Sequence, residues 1–381
     1  MLKKIFWISL GFFLLTLVFL GVYEFAFKHN TLNPVADPEK KAQSTKKEIA
    51  SEEDIARTLA FENFLSEPIA FPGTETNHLF YYSTRDRQLK RISYDQKETG
   101  ILMRQLSGEV KRLVWSPLYT SALALLEQDG KMLWHYLDFR NQTQLPLKPE
   151  MSRLSWNTLG DSIFYQFTDP GTGATSLNMA NFDGSNWKKL VDLEKGDYFL
   201  TAIPQSSRLA FWNKPDGFTE GRLESLSMTG DGRKVIVTGK FGSDYLWSPD
   251  GHAVLVGNTE SKGSPVPVIG IVDENGNNYR DLRIPTLINK IVWSRDNQTL
   301  YYAQPGAFPS GTILPNDYYG KPLFTQDTFW KVNIKTGKRE RLIPLNEMNQ
   351  AFDATSLFLA PDETSLFFID RESSKLYRIS L

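Results

Sequence analysis

One short pattern recurs along the chain at a nearly constant interval, and this recurrence restricts the possible folds more than any other feature. The fullest copy is Trp247-Ser248-Pro249-Asp250-Gly251, which lies between two runs rich in β-forming residues, 243–246 and 253–257. Ser-Pro-Asp-Gly favours a tight turn, because proline fixes φ, aspartate accepts hydrogen bonds from nearby backbone and glycine tolerates positive φ. The pattern therefore predicts a β-hairpin with a tryptophan at the end of its first strand.

Six further copies of the hairpin can be aligned with this one. The residues at the position of Trp247, here called the marker residues, are Phe71, Trp115, Trp156, Ile203, Trp293 and Leu359. With Trp247 in its place, successive markers are 44, 41, 47, 44, 46 and 66 residues apart. A period in the low-to-middle forties with strand–turn–strand content is typical of the blades of a β-propeller.

Each unit continues with a third strand, a tight turn and a short fourth strand, and four antiparallel strands make a blade. The last unit ends at Leu381 after three strands, whereas residues 59–65 precede the first unit with the pattern of a fourth strand. If 59–65 pair with 376–381, the ring closes and leaves no free sheet edge. The sequence thus predicts an all-β, seven-bladed β-propeller over residues 58–381, closed by an N-terminal strand, with six blades as the alternative.

Hairpins of the Trp-Ser-Pro-Asp-Gly form, followed by Asp-Gly-Ser-Asn turns such as 183–186, resemble those of the TolB-like (WD-repeat-like) β-propeller family of bacterial envelope proteins. The resemblance covers about residues 59–381. It implies the propeller fold and a place in the cell envelope. It does not single out an activity, since such repeats occur in scaffolds, in peptidase propellers and in some lyases.

The first residues have a different character from the repeats. Ile5–Tyr23 is 19 residues without a charge, and Lys3 and Lys4 precede it. A helix of this length, about 28 Å, approaches the thickness of the hydrocarbon core, and the lysines favour a cytoplasmic N-terminus. We therefore expect residues 1–27 to be a cytoplasmic stub and a transmembrane signal anchor of a single-pass cell-membrane protein; a cleaved signal peptide is the alternative.

Residues 28–57 are polar, with basic and acidic side chains in equal measure, and they contain almost nothing apolar. Such a composition cannot bury enough surface to order itself, and it predicts a flexible tether. The propeller would then lie outside the cytoplasm, held away from the membrane surface by this segment.

Several classes of function have no support in the sequence. The formal net charge of −1 gives no electrostatic footprint for nucleic acid, and the lack of cysteine excludes thiolate catalysis. The four histidines, at 29, 78, 135 and 252, form no metal-ligand motif, and no nucleophile elbow, phosphate-binding loop or calcium loop occurs. We predict no catalytic residue, no metal site and no cofactor.

The repeat is longest in the sixth unit, where residues 305–328 form an insertion between the second and third strands. This segment, here called the insertion, has aromatic content of its own, and a long loop of that kind is usually functional or packed down as a lid. Phe308, Tyr318, Tyr319 and Phe324 are the predicted binding residues. The alternative is that the insertion only caps the channel mouth, and the repeated tryptophans are predicted to pack between blades rather than to bind a ligand.

These observations favour a non-enzymatic scaffold that binds a protein or polysaccharide partner through the rim that carries the insertion, with the membrane contacted by the N-terminal helix. The first alternative is an envelope hydrolase or lyase with a site in the central channel. It is disfavoured because innermost segments such as 113–115, 291–293 and 356–359 are poor in acids and bases. The second alternative is a sensor, which would need another membrane protein for its output.

Overall fold

A computed structural model describes residues 61–348 and 350–381 of the chain. These residues form seven four-stranded antiparallel sheets, and six of them are simple meanders of four consecutive strands. In these six sheets the first strand is the innermost, whereas in the seventh sheet the N-terminal strand is the outermost. The innermost strands of blades one and seven are neighbours, so the sheets form a closed ring. The seven-bladed propeller is thereby confirmed, and the six-bladed alternative is wrong.

The strands are short, as expected for blades. Blades one to three comprise β2 (Ile69–Thr74), β3 (His78–Ser83), β4 (Gln88–Ser93), β5 (Thr99–Met103); β6 (Glu109–Trp115), β7 (Ser121–Gln128), β8 (Lys131–Asp138), β9 (Thr143–Pro146); and β10 (Met151–Trp156), β11 (Ser162–Thr168), β12 (Thr175–Asn181), β13 (Lys188–Leu193). Blades four and five comprise β14 (Tyr198–Ala202), β15 (Arg208–Asn213), β16 (Glu220–Ser227), β17 (Lys234–Phe241); and β18 (Asp244–Trp247), β19 (Ala253–Thr259), β20 (Pro267–Asp273), β21 (Arg280–Ile284). Blades six and seven comprise β22 (Ile291–Trp293), β23 (Thr299–Gln304), β24 (Thr328–Asn333), β25 (Arg339–Arg341); and β26 (Ala354–Leu359), β27 (Ser365–Asp370), β28 (Leu376–Ser380) with β1 (Glu62–Leu65).

Helical structure is confined to connections in the described part of the chain. One α-helical turn, α1 (Asn316–Gly320), lies in the insertion, and two 3₁₀ turns occupy Ile288–Lys290 and Leu345–Glu347. None of the helices in the described residues has the length and apolarity needed to cross a membrane. The predicted signal anchor at Ile5–Tyr23 and the tether at 28–57 lie outside the described residues.

The seventh blade is completed by the N-terminal strand, as predicted. In this blade β1 pairs with β28, which puts Glu62 opposite Arg378, and these two side chains form an ion pair. The Phe64 side chain is 3% exposed and meets Phe367 edge to face, with ring centroids 5.1 Å apart. Because this strand comes from the far end of the chain, the ring is closed by contacts between residues more than 300 positions apart.

The core lies between neighbouring blades rather than within any one of them. The marker tryptophans show why, because in three cases the indole Nε1 donates a hydrogen bond to a backbone carbonyl of the preceding blade's innermost strand. The pairs are Trp115 with Phe71 at 2.8 Å, Trp156 with Val114 at 3.0 Å and Trp293 with Leu246 at 3.5 Å. The fourth, Trp247, is equally buried, but its Nε1 has no acceptor among the described residues. The tryptophans thus bind blade to blade, in agreement with the structural role predicted for them.

The full turn at Ser248–Gly251 also binds two blades together. Ser248 Oγ donates to Asp250 Oδ1 at 2.5 Å, and Gly251 has a φ of +73°. A Cβ at Gly251 would lie 2.2 Å from the carbonyl oxygen of Pro204 in blade four. Glycine is therefore required here twice, for the turn geometry and for the approach of the neighbouring blade.

Two of the weaker markers were aligned wrongly with the tryptophans. Each tryptophan is paired with a fully buried residue seven positions later, as Trp115 is with Ala122. By the same register the equivalent residue is Thr74 in blade one, opposite Leu79, and Ala202 in blade four, opposite Leu209. Phe71 therefore lies three positions before the residue that is equivalent to the tryptophans, and Ile203 lies one position after it. Blade one has a tighter turn, and a β-bulge between Ala70 and Gly73 shifts the pairing of its innermost strand.

Ring closure through β1 makes a prediction about stability. Phe64→Ala should lower the free energy of unfolding by about 3–5 kcal/mol, because it leaves a cavity between the two ends of the chain. Asn63→Ala is the matched control, since this neighbouring side chain is exposed, and its effect should stay within about 0.5 kcal/mol. Denaturant unfolding followed by tryptophan fluorescence measures both, and equal midpoints for the two variants would contradict a closure that depends on β1.

Candidate binding surface

The two rims of the ring are built from different connections. The Ser-Pro-Asp-Gly turn and its copies occupy one rim. The opposite rim, here called the insertion rim, carries the connections between blades and those between second and third strands. The insertion lies on this rim as expected, because it contacts both the connection before β18 and the connection before β22.

Three long connections on the insertion rim form one continuous surface, here called the rim platform: residues 214–219, 260–266 and 305–327. Gly263 N donates to Gly217 O at 2.8 Å, which joins the first two connections. Gly217 N in turn donates to Asn316 Oδ1 at 2.7 Å, and Leu314 N donates to Ser264 O at 3.4 Å. The loops of blades four, five and six are therefore bound to one another rather than projecting separately.

The underside of the insertion is apolar and fully packed. Leu314 and Tyr318 are completely buried and pack against Leu287 in the connection between blades five and six, with Phe308 half-buried beside them. Tyr318 presents this face because it lies within α1. The turn is stabilised at its start, where Ile313 N donates to the Asp317 carboxylate at 3.0 Å.

A buried ionic cluster holds the end of the insertion to the scaffold. Lys290 is completely buried, and its Nζ donates to Asp327 Oδ2 at 2.6 Å, to Asp353 Oδ1 at 2.6 Å and to the carbonyl of Ala354 at 2.8 Å. All three ammonium protons thus have acceptors. Asp327 also accepts from Ala354 N at 2.8 Å and from Thr325 Oγ1 at 2.7 Å.

Arg371 extends this cluster to blade seven. Its guanidinium donates to Asp353 Oδ2 at 3.1 Å and to the carbonyl oxygens of Tyr318 and Leu323, at 2.5 and 2.6 Å. The guanidinium carbon lies 4.3 Å from the centre of the Tyr318 ring, and Tyr318 Oη donates to Asp353 Oδ1 at 2.6 Å. Two cations and two carboxylates balance, so the cluster carries no net charge and its charged groups are hydrogen-bonded.

The ionisable groups of the cluster respond to burial in different directions. Burial raises the pKa of Asp327, and the attraction of Lys290 offsets only part of this effect. Burial also acts on Asp353, but Lys290 together with the hydrogen bond from Tyr318 brings its pKa below the usual value. Burial, reinforced by the Asp353 carboxylate, raises the pKa of Tyr318, which therefore stays a hydrogen-bond donor.

The four predicted binding residues divide into two pairs. Tyr318 is completely buried and Phe308 half-buried, so both belong to the packed underside of the insertion. Tyr319 and Phe324 are 53% and 47% exposed. The Tyr319 side chain also borders the space next to Asp244, and the guanidinium carbon of Arg371 lies 5.5 Å from the centre of the Phe324 ring. The insertion is thus packed down like a lid and at the same time presents two aromatic side chains, which are the residues of the four able to meet a partner.

A polar cleft of about 890 Å³ lies beside the platform, on the insertion rim of blade four. Tyr319 and Asn316 form its wall on the insertion side, and Asp197 and Tyr198 belong to the connection that enters blade four. Its charged side chains include both signs, among them Glu224, which is buried and paired with Arg233 at 2.7 Å. The cleft therefore offers hydrogen-bonding groups of both polarities next to the exposed aromatic residues.

Charged residues that the sequence interpretation did not identify recur at one position on the innermost side of the blades. The residues three positions before the marker register form a layer, here called the channel layer: Phe71, Arg112, Arg153, Phe199, Asp244, Lys290 and Ser356. Two of the innermost segments considered from the sequence, 113–115 and 291–293, begin one residue after a charged member of this layer. The signal that could have identified this layer was a charged residue three positions before each repeated tryptophan.

Asp244 is the acid of this layer. Its Oδ1 accepts from Tyr245 N at 3.0 Å and from Trp212 Nε1 at 3.1 Å. Burial raises the pKa of Asp244 to about 6, because these two hydrogen bonds offset only part of the lost hydration. The residue also borders a small space of about 20 Å³ beneath the insertion, with Tyr319 on the other side.

The histidines are dispersed, as the sequence indicated. His78 begins β3, His135 lies in β8 and His252 is in a hairpin turn, while His29 is outside the described residues. In the part of the chain that the structure describes, no three His, Cys, Asp or Glu side chains come together in a way that could hold a metal ion.

This geometry defines the class of the molecule: a seven-bladed β-propeller with a rigid platform on one rim and a charged layer in its channel. No protein-family model matches the sequence, and comparison with curated proteins gives no match. Solved structures do match. An oligogalacturonate lyase in complex with manganese has a TM-score of 0.59 at 13% identity, covering 83% of this chain and 89% of that one.

Two further solved structures are similar. An uncharacterized protein from Listeria monocytogenes has a TM-score of 0.55 at 10% identity, covering 82% of this chain and 95% of that one. TolB from Acinetobacter baumannii also matches, with a TM-score of 0.46 at 15% identity, covering 73% of this chain and 63% of that one. The seven-bladed ring agrees with the fold that the resemblance to TolB-like propellers implied. At these identities the likenesses concern the fold alone.

The buried cluster gives a prediction about stability. Lys290→Met should lower the free energy of unfolding by about 3–5 kcal/mol, because it leaves Asp327 and Asp353 buried without their cation. Lys321→Met is the matched control, since Lys321 is 65% exposed and pairs only with Asp317 at the surface, so its effect should stay below about 1 kcal/mol. Chemical denaturation measures both, and equal losses would show that the cluster does not hold the insertion.

Asp244 gives a prediction about pH. A carboxyl group whose pKa is raised to about 6 on folding contributes stability below its unfolded pKa of about 4 and loses that contribution as the pH rises through 6. Relative to Asp244→Asn, the natural protein should therefore gain on the order of 2 kcal/mol between pH 7 and pH 4. Denaturant unfolding of both proteins across this range tests the sign, and parallel stability curves would contradict it.

Proposed function

We propose that this chain is a membrane-anchored binding scaffold whose propeller lies outside the cytoplasm and recruits a protein or polysaccharide through the rim platform. The observation that carries the proposal is the combination of an insertion held by many contacts with two aromatic side chains that are about half-exposed. Tyr319 and Phe324 are about half-exposed, although the residues on either side of them are held by the Lys290 and Arg371 contacts.

Rigidity matters because a partner then does not have to order the loop. The insertion is hydrogen-bonded to connections of blades four, five and seven, so its conformation is set before any partner arrives. Binding surfaces that are preorganised avoid much of the entropy cost of association. A long surface loop that is nonetheless fixed is typical of a recognition element on a rigid scaffold.

The chemistry of the platform fits recognition of a surface. Tyrosine and phenylalanine provide large contact areas with few rotatable bonds, and both are common at the centres of interfaces. Phe218, in the first platform connection, is 48% exposed and adds a third aromatic group on the same surface. The adjacent cleft supplies hydrogen-bonding groups of both signs for the polar margin of such a contact.

The location rests on the N-terminal sequence. The uncharged run Ile5–Tyr23 and the preceding Lys3 and Lys4 support a single transmembrane helix with its N-terminus in the cytoplasm. The polar segment 28–57 then supports a tether of about thirty residues. On this proposal the platform is presented to partners in the envelope, at a distance from the membrane that the tether sets.

A second candidate is an enzyme with its site in the channel, and Asp244 is the observation that favours it. A carboxyl group with a raised pKa is suited to general acid–base chemistry. An acid–base reaction also needs a second group or an electrophile within reach. Of the described histidines, His78 and His135 lie in other blades, and His252 lies in the hairpin turn on the opposite rim. Binding therefore remains the better-supported function.

The platform gives a prediction about partner capture. The double variant Tyr319→Ala/Phe324→Ala should lose the partners that cross-link to the natural protein in intact cells, by about tenfold or more, because it removes the exposed aromatic area. Leu118→Ala/Leu159→Ala is the matched control, since these leucines are 69% and 72% exposed on the opposite rim. Quantitative mass spectrometry of cross-linked membranes measures the loss.

Point variants are preferable to removing the insertion. Deletion of 305–327 would also remove Asp327 and leave Lys290 buried beside a single carboxylate, so lost binding could reflect a damaged fold. Both double variants should keep the natural midpoint of thermal unfolding within a few degrees. Undiminished capture by Tyr319→Ala/Phe324→Ala, or an equal loss in the control, would overturn the proposal.

A further inference from the structure

The channel layer brings two arginines together from adjacent blades. Arg112 in β6 and Arg153 in β10 both lie three residues before a marker tryptophan, so ring symmetry places them at one level of the channel. The next blade contributes Phe199 at the same level. These three residues, here called the arginine site, therefore occupy three consecutive blades.

Direct contacts show that the three side chains meet. The guanidinium carbon of Arg153 lies 4.9 Å from the centre of the Phe199 ring, and that of Arg112 lies 5.7 Å from it. Trp212 meets the same ring edge to face, with centroids 5.9 Å apart, which fixes its orientation. Both cations are thus positioned by a single aromatic ring that is itself held in place.

The charges of the arginine site do not balance. Arg153 is neutralised by a two-pronged ion pair with Asp197, in the connection that leads into β14. Arg112 has no hydrogen-bond acceptor and no ion-pair partner among the described residues, although it is half-buried. Burial and the neighbouring charge of Arg153 lower the pKa of Arg112, and Asp197 compensates only in part. One positive charge is thus left without a counter-charge among the described residues.

Such an arrangement does not stabilise the folded protein. A half-buried cation next to a like charge loses hydration and meets repulsion, and other charged groups in this propeller, such as Lys290, have a full set of acceptors. An anion would complete the arginine site. A guanidinium offers two parallel N–H donors, and a carboxylate matches this spacing with its two oxygens.

We propose that Arg112, positioned by Phe199 and Arg153, binds the carboxylate of a small organic acid inside the channel. The entrance lies on the insertion rim, since Asp197, which holds Arg153, also borders the polar cleft beside the platform. Phe199 and the neutralised Arg153 form one wall of the site, and Arg112 supplies the charge. The inference is independent of whether the platform recruits a macromolecule.

The test uses the full-length chain in a neutral detergent and isothermal titration with four probes. Glucuronate and succinate carry carboxylates, glucose is the neutral counterpart of glucuronate, and inorganic phosphate is an anion of different shape. The two carboxylate probes should bind at millimolar concentration or below, and their binding should weaken as salt is added. A preference between them distinguishes a sugar acid from a simple dicarboxylic acid as the source of the carboxylate.

Variants locate the binding. Arg112→Gln should weaken binding of the preferred carboxylate at least tenfold, and Arg112→Lys should weaken it less, because the charge remains while the planar fork is lost. Arg104→Gln is the matched control, since Arg104 is exposed in the connection between blades one and two, and it should bind as the natural protein does. Arg112→Gln should also unfold at the same or a higher temperature, because it relieves repulsion from Arg153.

The outcomes separate cleanly. Carboxylate binding that depends on Arg112 and not on Arg104 supports the proposal. Binding of phosphate alone, equal binding of glucose and glucuronate, an undiminished affinity in Arg112→Gln, or no binding of either carboxylate overturns it. A lower unfolding temperature for Arg112→Gln would also count against it, because the unpaired charge would then be contributing to the fold.

Discussion

The ion pairs of the buried Lys290 ammonium group with Asp327 and Asp353 are the interaction on which the structure of the insertion rim depends. Lys290 comes from the connection between blades five and six, whereas its two carboxylates come from the end of the insertion and from the connection to blade seven. A buried cation must keep its partners, because separating them would leave charges without water. Three connections of different blades are therefore held in one arrangement, and Arg371 adds the loop of blade seven.

This constraint explains how a long insertion can be both packed and exposed. Its underside is fixed by Tyr318, which combines a buried ring with a hydrogen bond to Asp353, and by Leu314. The neighbouring Tyr319 is 53% exposed, while part of its side chain borders the space next to Asp244. One side of the insertion is thus packed on the scaffold, while two of its aromatic side chains remain about half-exposed.

Much of the fold could be predicted from the sequence, because a propeller consists of repeated units with a similar sequence pattern. The prediction of seven blades came from the marker spacing and the turn chemistry around Gly251. The prediction of closure by the N-terminal strand came from the last unit, which has only three strands. The misplaced markers Phe71 and Ile203 show the limit of that reading. Where the tryptophan is absent, only strand pairing reveals the register, since bulges and shorter turns change the count without changing the pattern.

The sequence by itself determined the repeat, favoured seven blades over six, and located the insertion rim and the aromatic residues of the insertion, because these depend on local turn chemistry and periodicity. Only the tertiary structure decided which of those aromatic residues are buried. It also decided that Lys290 pairs with two aspartates, and that Arg112 and Arg153 both contact the ring of Phe199. Each of these depends on side chains brought together by the closure of the ring from positions about 40 or more residues apart. Local sequence patterns carry no information on these long-range contacts. The burial and the charge balance of the side chains depend on such contacts.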